Sequence, residues 1–348
     1  MLGYDCEELK MRKYLCPAVG LITVAAAGLA LWAPATASAR GMAHRATDCF
    51  KVTATTPLAT APGAVAVNPA TNTIYAASFE AGTVSVIDGQ TNTVTATIRV
   101  GTGPGAVAVN PRTNTIYVAS YDAGTVSVID GQANTVTATI LVGAGLDAVA
   151  VNPRTNTLYA DARLNDAVSV IDGQTNTVTA TIRLPAQSRP LAAAVNPATN
   201  TLYVTNSGND TVSVIDGQTN TVTATIPVGS TPLAAAVNSA TDTIYVANEI
   251  PSTVSVIDGQ TNTVTATIRV GRSPQGVAVG PRSKDIYVAN EIFSTVSVIR
   301  GQTNTVFATI HLPEHSLPTA LATDSETNTI YAADNGSDTV SAIAVCPK

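Results

Sequence analysis

The stretch TVSVIDGQTNTVTATI, residues 83–98, decides the fold of this chain. Two runs rich in β-branched residues, TVSVI (83–87) and TVTATI (93–98), flank DGQTN (88–92), whose Asp, Gly and Asn suit a tight turn. Working outward, IYAAS (74–78) is a strand, FEAG (79–82) a loop, and AVAV (64–67) a further strand before the turn NPATNT (68–73). TVSVI returns with at most one change at 125–129, 167–171, 211–215, 253–257, 295–299 and 339–343. The tyrosines that keep step with it (Tyr75, Tyr117, Tyr159, Tyr203, Tyr245, Tyr287 and Tyr331) are spaced by 42, 42, 44, 42, 42 and 44 residues. A fixed period in this range marks a solenoid, propeller or array. Seven units with four strand signals each predict an all-β, seven-bladed β-propeller with four-stranded antiparallel blades.

The first three strands of each unit are apolar on both faces, as a sheet sandwiched between neighbours requires. The fourth alternates Val94, Ala96 and Ile98 with Thr95 and Thr97, which fits an outer strand with a wet face. The two ends of the repeat are incomplete in complementary ways. The seventh unit stops after its third strand, whereas KVTATTPL (51–58) aligns with TVTATIRV (93–100), a fourth strand with no unit of its own. The N-terminal strand is therefore expected to join the C-terminal blade and close the ring. Closure leaves only short sheet edges.

Residues 1–39 carry a different signal. A basic segment opens at Met11-Arg12-Lys13, an apolar run follows from about Leu15 to Ala33, and Ala37-Ser38-Ala39 supplies a small-x-small cleavage site. This reads as a signal peptide with translation starting at Met11, leaving one propeller domain over 40–348. The rival is an uncleaved anchor, since the run approaches membrane-spanning length. The Ala-Ser-Ala site favours cleavage, with no membrane insertion afterwards and a secreted or other extracytoplasmic location. Of the four cysteines, Cys49 and Cys346 lie in the mature chain, and repeat alignment sets them at neighbouring turn positions. A Cys49–Cys346 disulfide is expected in an oxidising compartment, the alternative being two free thiols.

IYVAS (116–120), LYVTN (202–206) and IYVAN (244–248 and 286–290), with VNPxTNT before and TVSVIDGQTNTV after, resemble the YVTN-repeat β-propeller family. The resemblance covers residues 50–346. It implies an exported or cell-surface propeller, and architecture more than activity. The mature chain has no tryptophan, so the Trp-Asp repeat propellers match poorly.

Few residues carry recognisable chemistry. HLPEH (311–315) fits the H-x-x-E-H pattern formally, but Pro313 is incompatible with the regular helix that this metal chemistry needs, so a surface loop is expected. His44 is the one other histidine of the mature chain. Asp88, Asp130, Asp172, Asp216 and Asp258 recur in the DGQTN turns and read as turn formers, with the glycine allowing positive φ. Arg300 replaces the sixth of them. No metal, cofactor or catalytic set is expected.

The turns joining strands one to two and three to four are nearly constant and lie on one face. The loops joining strands two to three, and successive blades, vary and lie on the other, where function on a rigid scaffold is usually built. The seven variable loops between strands two and three hold nine acids: Glu80, Asp122, Asp161, Asp166, Asp210, Glu249, Glu291, Asp334 and Asp338. Arg163 is their one base, and Phe79, Tyr121 and Phe293 add aromatic surface. One reading is a solvated acidic rim. The other is a binding face for a cationic partner, a protein, peptide or small ligand, with Phe79, Glu80, Tyr121, Asp122, Arg163, Glu249, Glu291 and Phe293 as contact residues.

Residues 40–348 retain 15 basic and 21 acidic residues, net −6, which argues against nucleic acid. The expected function is that of a monomeric, exported interaction module without catalysis. The alternative is a lactonase-like hydrolase or a periplasmic oxidoreductase subunit, on analogy of fold.

Overall fold

A computed structural model describes residues 50–280 and 282–345 of the 348-residue chain. The expected signal peptide, His44, Cys49 and Cys346 lie outside the described residues. Among the described residues no helix is long and apolar enough to cross a membrane.

The strands form seven four-stranded antiparallel sheets. Six follow chain order, over residues 64–99, 104–141, 146–183, 190–227, 230–269 and 274–311, and are blades 1 to 6. Blade 7 joins Pro318–Asp324, Thr329–Asp334 and Thr339–Val345 to the N-terminal strand Phe50–Pro57, which pairs antiparallel with Thr339–Val345. The first strands of consecutive blades neighbour one another in a closed cycle, blade 7 against blade 1 included, so they surround the axis.

Each blade is glued to the next by one apolar cluster. Tyr75, Ala77 and Val84 of blade 1 pack with Ile116, Val118 and Ile129 of blade 2, and the pattern repeats around the ring. It crosses the chain termini, where Tyr331, Ala333 and Val340 meet Val65, Ile74 and Ile87. Burying each such Val or Ile contributes about 1.5–3 kcal/mol. Tyr159 extends under the following turn, where a Cβ on Gly217 would come 2.6 Å from its hydroxyl.

Blade 7 copies the details of the others. In blades 1 to 6 the carbonyl of the residue before the third strand accepts a bond from the residue just beyond the fourth, as Gly82 does from Val100. In blade 7 Asp338 accepts from Leu58, 280 residues away along the chain, at 2.8 Å. Phe50 adds a seal, packing edge-on to Tyr287 at 6.3 Å and against Phe307 at 6.0 Å. Arg300, the departure from the turn aspartates, stacks on Phe307 at 4.5 Å.

Two local expectations need correction. The fourth strand does not alternate evenly: a bulge between Val94 and Ala96 turns Val94 outward, 40% exposed, while Thr95 Oγ1 donates to the Val86 carbonyl. The bulge recurs on every outer strand, the closing one included at Val52/Ala54, and roughens the free edges. In the DGQTN turn it is Asn92, not Gly89, that takes positive φ (54°). Gly89 is needed for close approach, because a Cβ there would lie 2.1 Å from Asn72 Oδ1.

Candidate functional site

The strand order puts the NPxTNT and DGQTN turns on one face and the variable loops on the other, as expected. The constant face is internally occupied. Asp88 Oδ1 accepts bonds from the backbone of Gln90 (2.9 Å) and Thr91 (2.7 Å), which hold its carboxyl below the usual range, and Asp130, Asp172, Asp216 and Asp258 do the same. Asn68 Nδ2 donates to Asn114 Oδ1 at 2.6 Å, and three like bonds link the next blades. The belt breaks at blade 6, where Lys284 takes the acceptor's place, and a shallow cleft of about 280 Å³ opens there between Tyr245, Asp258 and Gly301. His311 ends an outer strand, with Ser316 donating back to Pro313 in the loop beyond, so HLPEH is a strand end and a turn. No group of three or more metal-ligating side chains exists among the described residues.

On the variable face the sequence-predicted residues fall into three groups. Phe79 and Asp122, from successive blades, converge on Gly103: a Cβ there would lie 2.7 Å from Asp122 Oδ2 and 3.1 Å from Phe79 Cζ. Gly103 also has φ 68°, and its carbonyl accepts from the Tyr121 amide at 2.7 Å. Glu80 is exposed beside Phe79.

The second group joins blades 5 and 6. Ser273 Oγ donates to Glu291 Oε2 at 3.1 Å and reaches Glu249 Oε1 at 3.4 Å. Gln275 Nε2 donates to Ser273 Oγ (2.8 Å) and to Glu291 Oε2 (3.2 Å). Beside these carboxylates lie Ile250, 61% exposed, Ile292 and Phe293, 71% exposed. Phe293 has φ 78° and the next residue, Ser294, φ 49°. A bulky side chain at positive φ is strained.

The third group lies in blade 3. Arg163 Nη1 is 3.7 Å from Asp147 Oδ2, an acid that sits on the first strand of the blade and so outside the loops between strands two and three. Asp161 is not a solvated loop acid. It belongs to the second strand, Thr157–Ala162, is fully buried, and neither oxygen has a hydrogen-bond partner among the described residues. Burial, reinforced by the Asp147 charge, pushes its carboxyl up to about 8, and burial pushes Asp147 up to about 6 against the pull of Arg163.

Three of the other variable-face acids are structural, while the fourth, Asp338, is exposed. Asp166 accepts from the backbone of Gln187 and Arg189, and Asp210 from that of Thr231, so each pins the loop to the next blade. Asp334 is buried and accepts from Ser341 and Thr339. It occupies the slot of Asn206, Asn248 and Asn290, whose amides donate to the equivalent hydroxyls; Asn248, for example, bonds Thr253 and Ser255. The repeated asparagine is therefore a clamp between the second and third strands.

A family model described as YNCE-like beta-propeller matches residues 169–348, slightly over half of the chain. The chain belongs to that family. Comparison with curated proteins finds no match for this YNCE-like propeller. Among solved structures it is similar to Kuenenia stuttgartiensis Hydrazine Synthase, at 20% identity, TM-score 0.73, covering 83% of this chain and 96% of that one. At that identity the likeness shows the fold alone.

Proposed function

We propose that this YNCE-like propeller is an exported, non-catalytic binding module whose variable face takes a partner segment carrying positive charge and an apolar side chain. The observation that carries this reading is Phe293. It is strained at φ 78° and 71% exposed, and it stands two residues from Glu291. Ser273 and Gln275 orient Glu291, and Ser273 reaches Glu249, so carboxylates flank an apolar patch of Ile250, Ile292 and Phe293. Charge of this kind steers encounter and sets register, while the exposed aromatic supplies contact area. Phe79, Tyr121 and Asp122 form a smaller version of the same pairing around Gly103. The alternative, a hydrolase or an oxidoreductase subunit, draws on architecture alone.

The test starts from partners captured with the mature protein from its own envelope or medium. Binding should weaken as salt rises, because exposed charges are screened beyond about 8–10 Å in moderate salt. Glu249→Gln with Glu291→Gln should raise Kd about tenfold or more, and Phe293→Ala should raise it further, with the melting temperature unchanged or increased. Binding that survives these changes but is lost when the DGQTN turns are altered would place the site on the opposite face.

A further inference from the structure

The seven repeats provide an internal control for blade 3. At the position of Asp161, five blades have Ala and one has Thr205, so the fold does not call for an acid there. At the position of Asp147, the other blades have Gly, Leu, Gln or Thr. The two departures coincide: Asp161 registers with Ala148, and the register shift between Leu146 and Ala148 takes Asp147 out of the ladder beside it. The blade also lacks the clamp by which Thr339 and Ser341 hold Asp334 in blade 7, having Ala167 where Thr339 stands and Ala162 where Asp334 stands. Ser169 corresponds to Ser341 but makes no bond to Asp161. Asp161 is thus fully buried with both oxygens lacking a donor among the described residues, and Asp147 Oδ2 has only the long contact to Arg163.

Carboxylates taken out of water without donors are costly, and a cation that donates hydrogen bonds removes the cost. We propose that Asp147 and Asp161 form a site for the alkylammonium group of a ligand, of which a lysine side chain is one instance. The inference rests on the reading of the variable face as a cation-binding surface, and locates a specific recognition point within it. The shape of the donor set selects the group. An ammonium is compact and presents three donors on a slim stem, so it can bridge two carboxylates, whereas the planar guanidinium of Arg163 meets Asp147 alone. Arg163, with its side chain 36% exposed, is the tethered cation that swings aside when the ligand enters. With fewer than three acidic, His or Cys side chains gathered there, the site is poorer in ligands than a cation such as Ca²⁺ prefers.

The experiment titrates the full chain with N-acetyl-lysine amide and with its ε-acetylated twin at low salt, by calorimetry. The lysine compound should bind and the acetylated one should be at least about tenfold weaker, since removing one partner of a buried charged pair is the costliest kind of truncation. Asp147→Asn and Asp161→Asn should each weaken lysine binding by a similar factor, and Arg163→Ala should strengthen it. Glu249→Gln with Glu291→Gln should weaken it less than either aspartate change, and Glu326→Gln, on the opposite face, should leave it unchanged. Melting curves identify any variant that fails to fold, and Asp147→Asn, at the more exposed position, carries the test if Asp161→Asn does so. The proposal is overturned if neither the wild type nor Arg163→Ala binds the lysine compound at millimolar concentration, or if binding ignores both aspartate changes. Dependence on Glu249 and Glu291 alone would overturn this site while leaving the face reading intact.

Discussion

Blades 3 and 7 each bury an aspartate near the end of the second strand and treat it in opposite ways. In blade 7, Asp334 occupies the asparagine slot of blades 4 to 6, and the hydroxyls of Thr339 and Ser341, donors to a carboxylate as readily as acceptors from an amide, turn toward it. In blade 3, Asp161 lies one position earlier, outside the reach of that clamp, and its oxygens face no donor among the described residues. Both carboxyls are pushed up by burial, Asp334 to about 7 and Asp161 to about 8, and bonds from the hydroxyls account for part of the lower value. The repeat that absorbs one buried acid as a variant of its own clamp has no provision for the other. The clamp holds Asp334 through Oδ2 and leaves Oδ1 without a partner among the described residues, whereas both oxygens of Asp161 lack one, which makes Asp161 the acid with more to gain from a ligand.

The comparison presumes that blade 7 is as complete as blade 3, although one of its strands comes from the other end of the chain. Removing residues 40–58 should have the largest effect of any change considered: it deletes the partner of Thr339–Val345 and the Phe50 seal on blade 6, and size-exclusion chromatography should show aggregate in place of monomer. A truncated protein that stays monomeric and equally stable would mean that closure does not depend on this strand. Next in size is the expected disulfide. Phe50 registers with Val345, the last described pair, and Cys49 and Cys346 are the next residues in sequence beyond the two strands. Non-reducing peptide mapping should recover a Cys49–Cys346 link, and Cys346→Ser should lower stability by up to about 5 kcal/mol, the entropy limit for so long a loop. Free thiols in folded, oxidised protein would refute the link. Asn248→Ala ranks third. It leaves the buried hydroxyls of Thr253 and Ser255 without their donor, and denaturant titration should register a loss of about 1–3 kcal/mol.

The architecture was legible because sevenfold repetition averages out local ambiguity: each strand is read seven times, and the incomplete ends fit only one closure. Details that depend on one atom meeting another were not. Gly89 is read as a positive-φ residue until Asn72 is seen against it, and Val94 as inward-facing until the bulge is seen. The variable loops share one face, as the repeat implies, but which of their residues meet was not legible, since Ser273 and Gly103 act through the lateral spacing of adjacent blades. Asp161 was misplaced for a definable reason. The sequence pattern assigns Asp161 to the variable loop, whereas the strand runs through Ala162, so a core position is counted as rim. A signal was present: Asp147 and Asp161 both break the repeat within strands, in one blade, at adjacent register.

The smallest effect expected is also the sharpest test of the contrast between the two aspartates, and it lies in the pH dependence of stability. An aspartate in the unfolded chain titrates near about 3.9. With Asp147, Asp161 and Asp334 raised to about 6, 8 and 7, the folded state binds more protons than the unfolded one between about pH 4 and pH 8. Their contribution is therefore fully present below that window and is lost as pH rises through it. The DGQTN aspartates, held below their usual range, act in the opposite sense and only in stronger acid, with exposure weakening them. Calorimetry should find the melting temperature lower at pH 8.5 than at pH 5, by about 2–4 °C for each kcal/mol lost. The charged group bearing on Asp161 is Asp147, itself beside Arg163, while the strand partners Ala148 and Val168 carry none. Asp161→Asn should flatten the pH dependence by removing the group that ionises last. Asp334→Asn should flatten it less and also restore the amide clamp of blades 4 to 6, raising stability at pH 8.5. A melting temperature that rises between pH 5 and pH 8.5, or a slope unchanged in Asp161→Asn, would show that the blade 3 carboxylate already has a charged partner in the free protein.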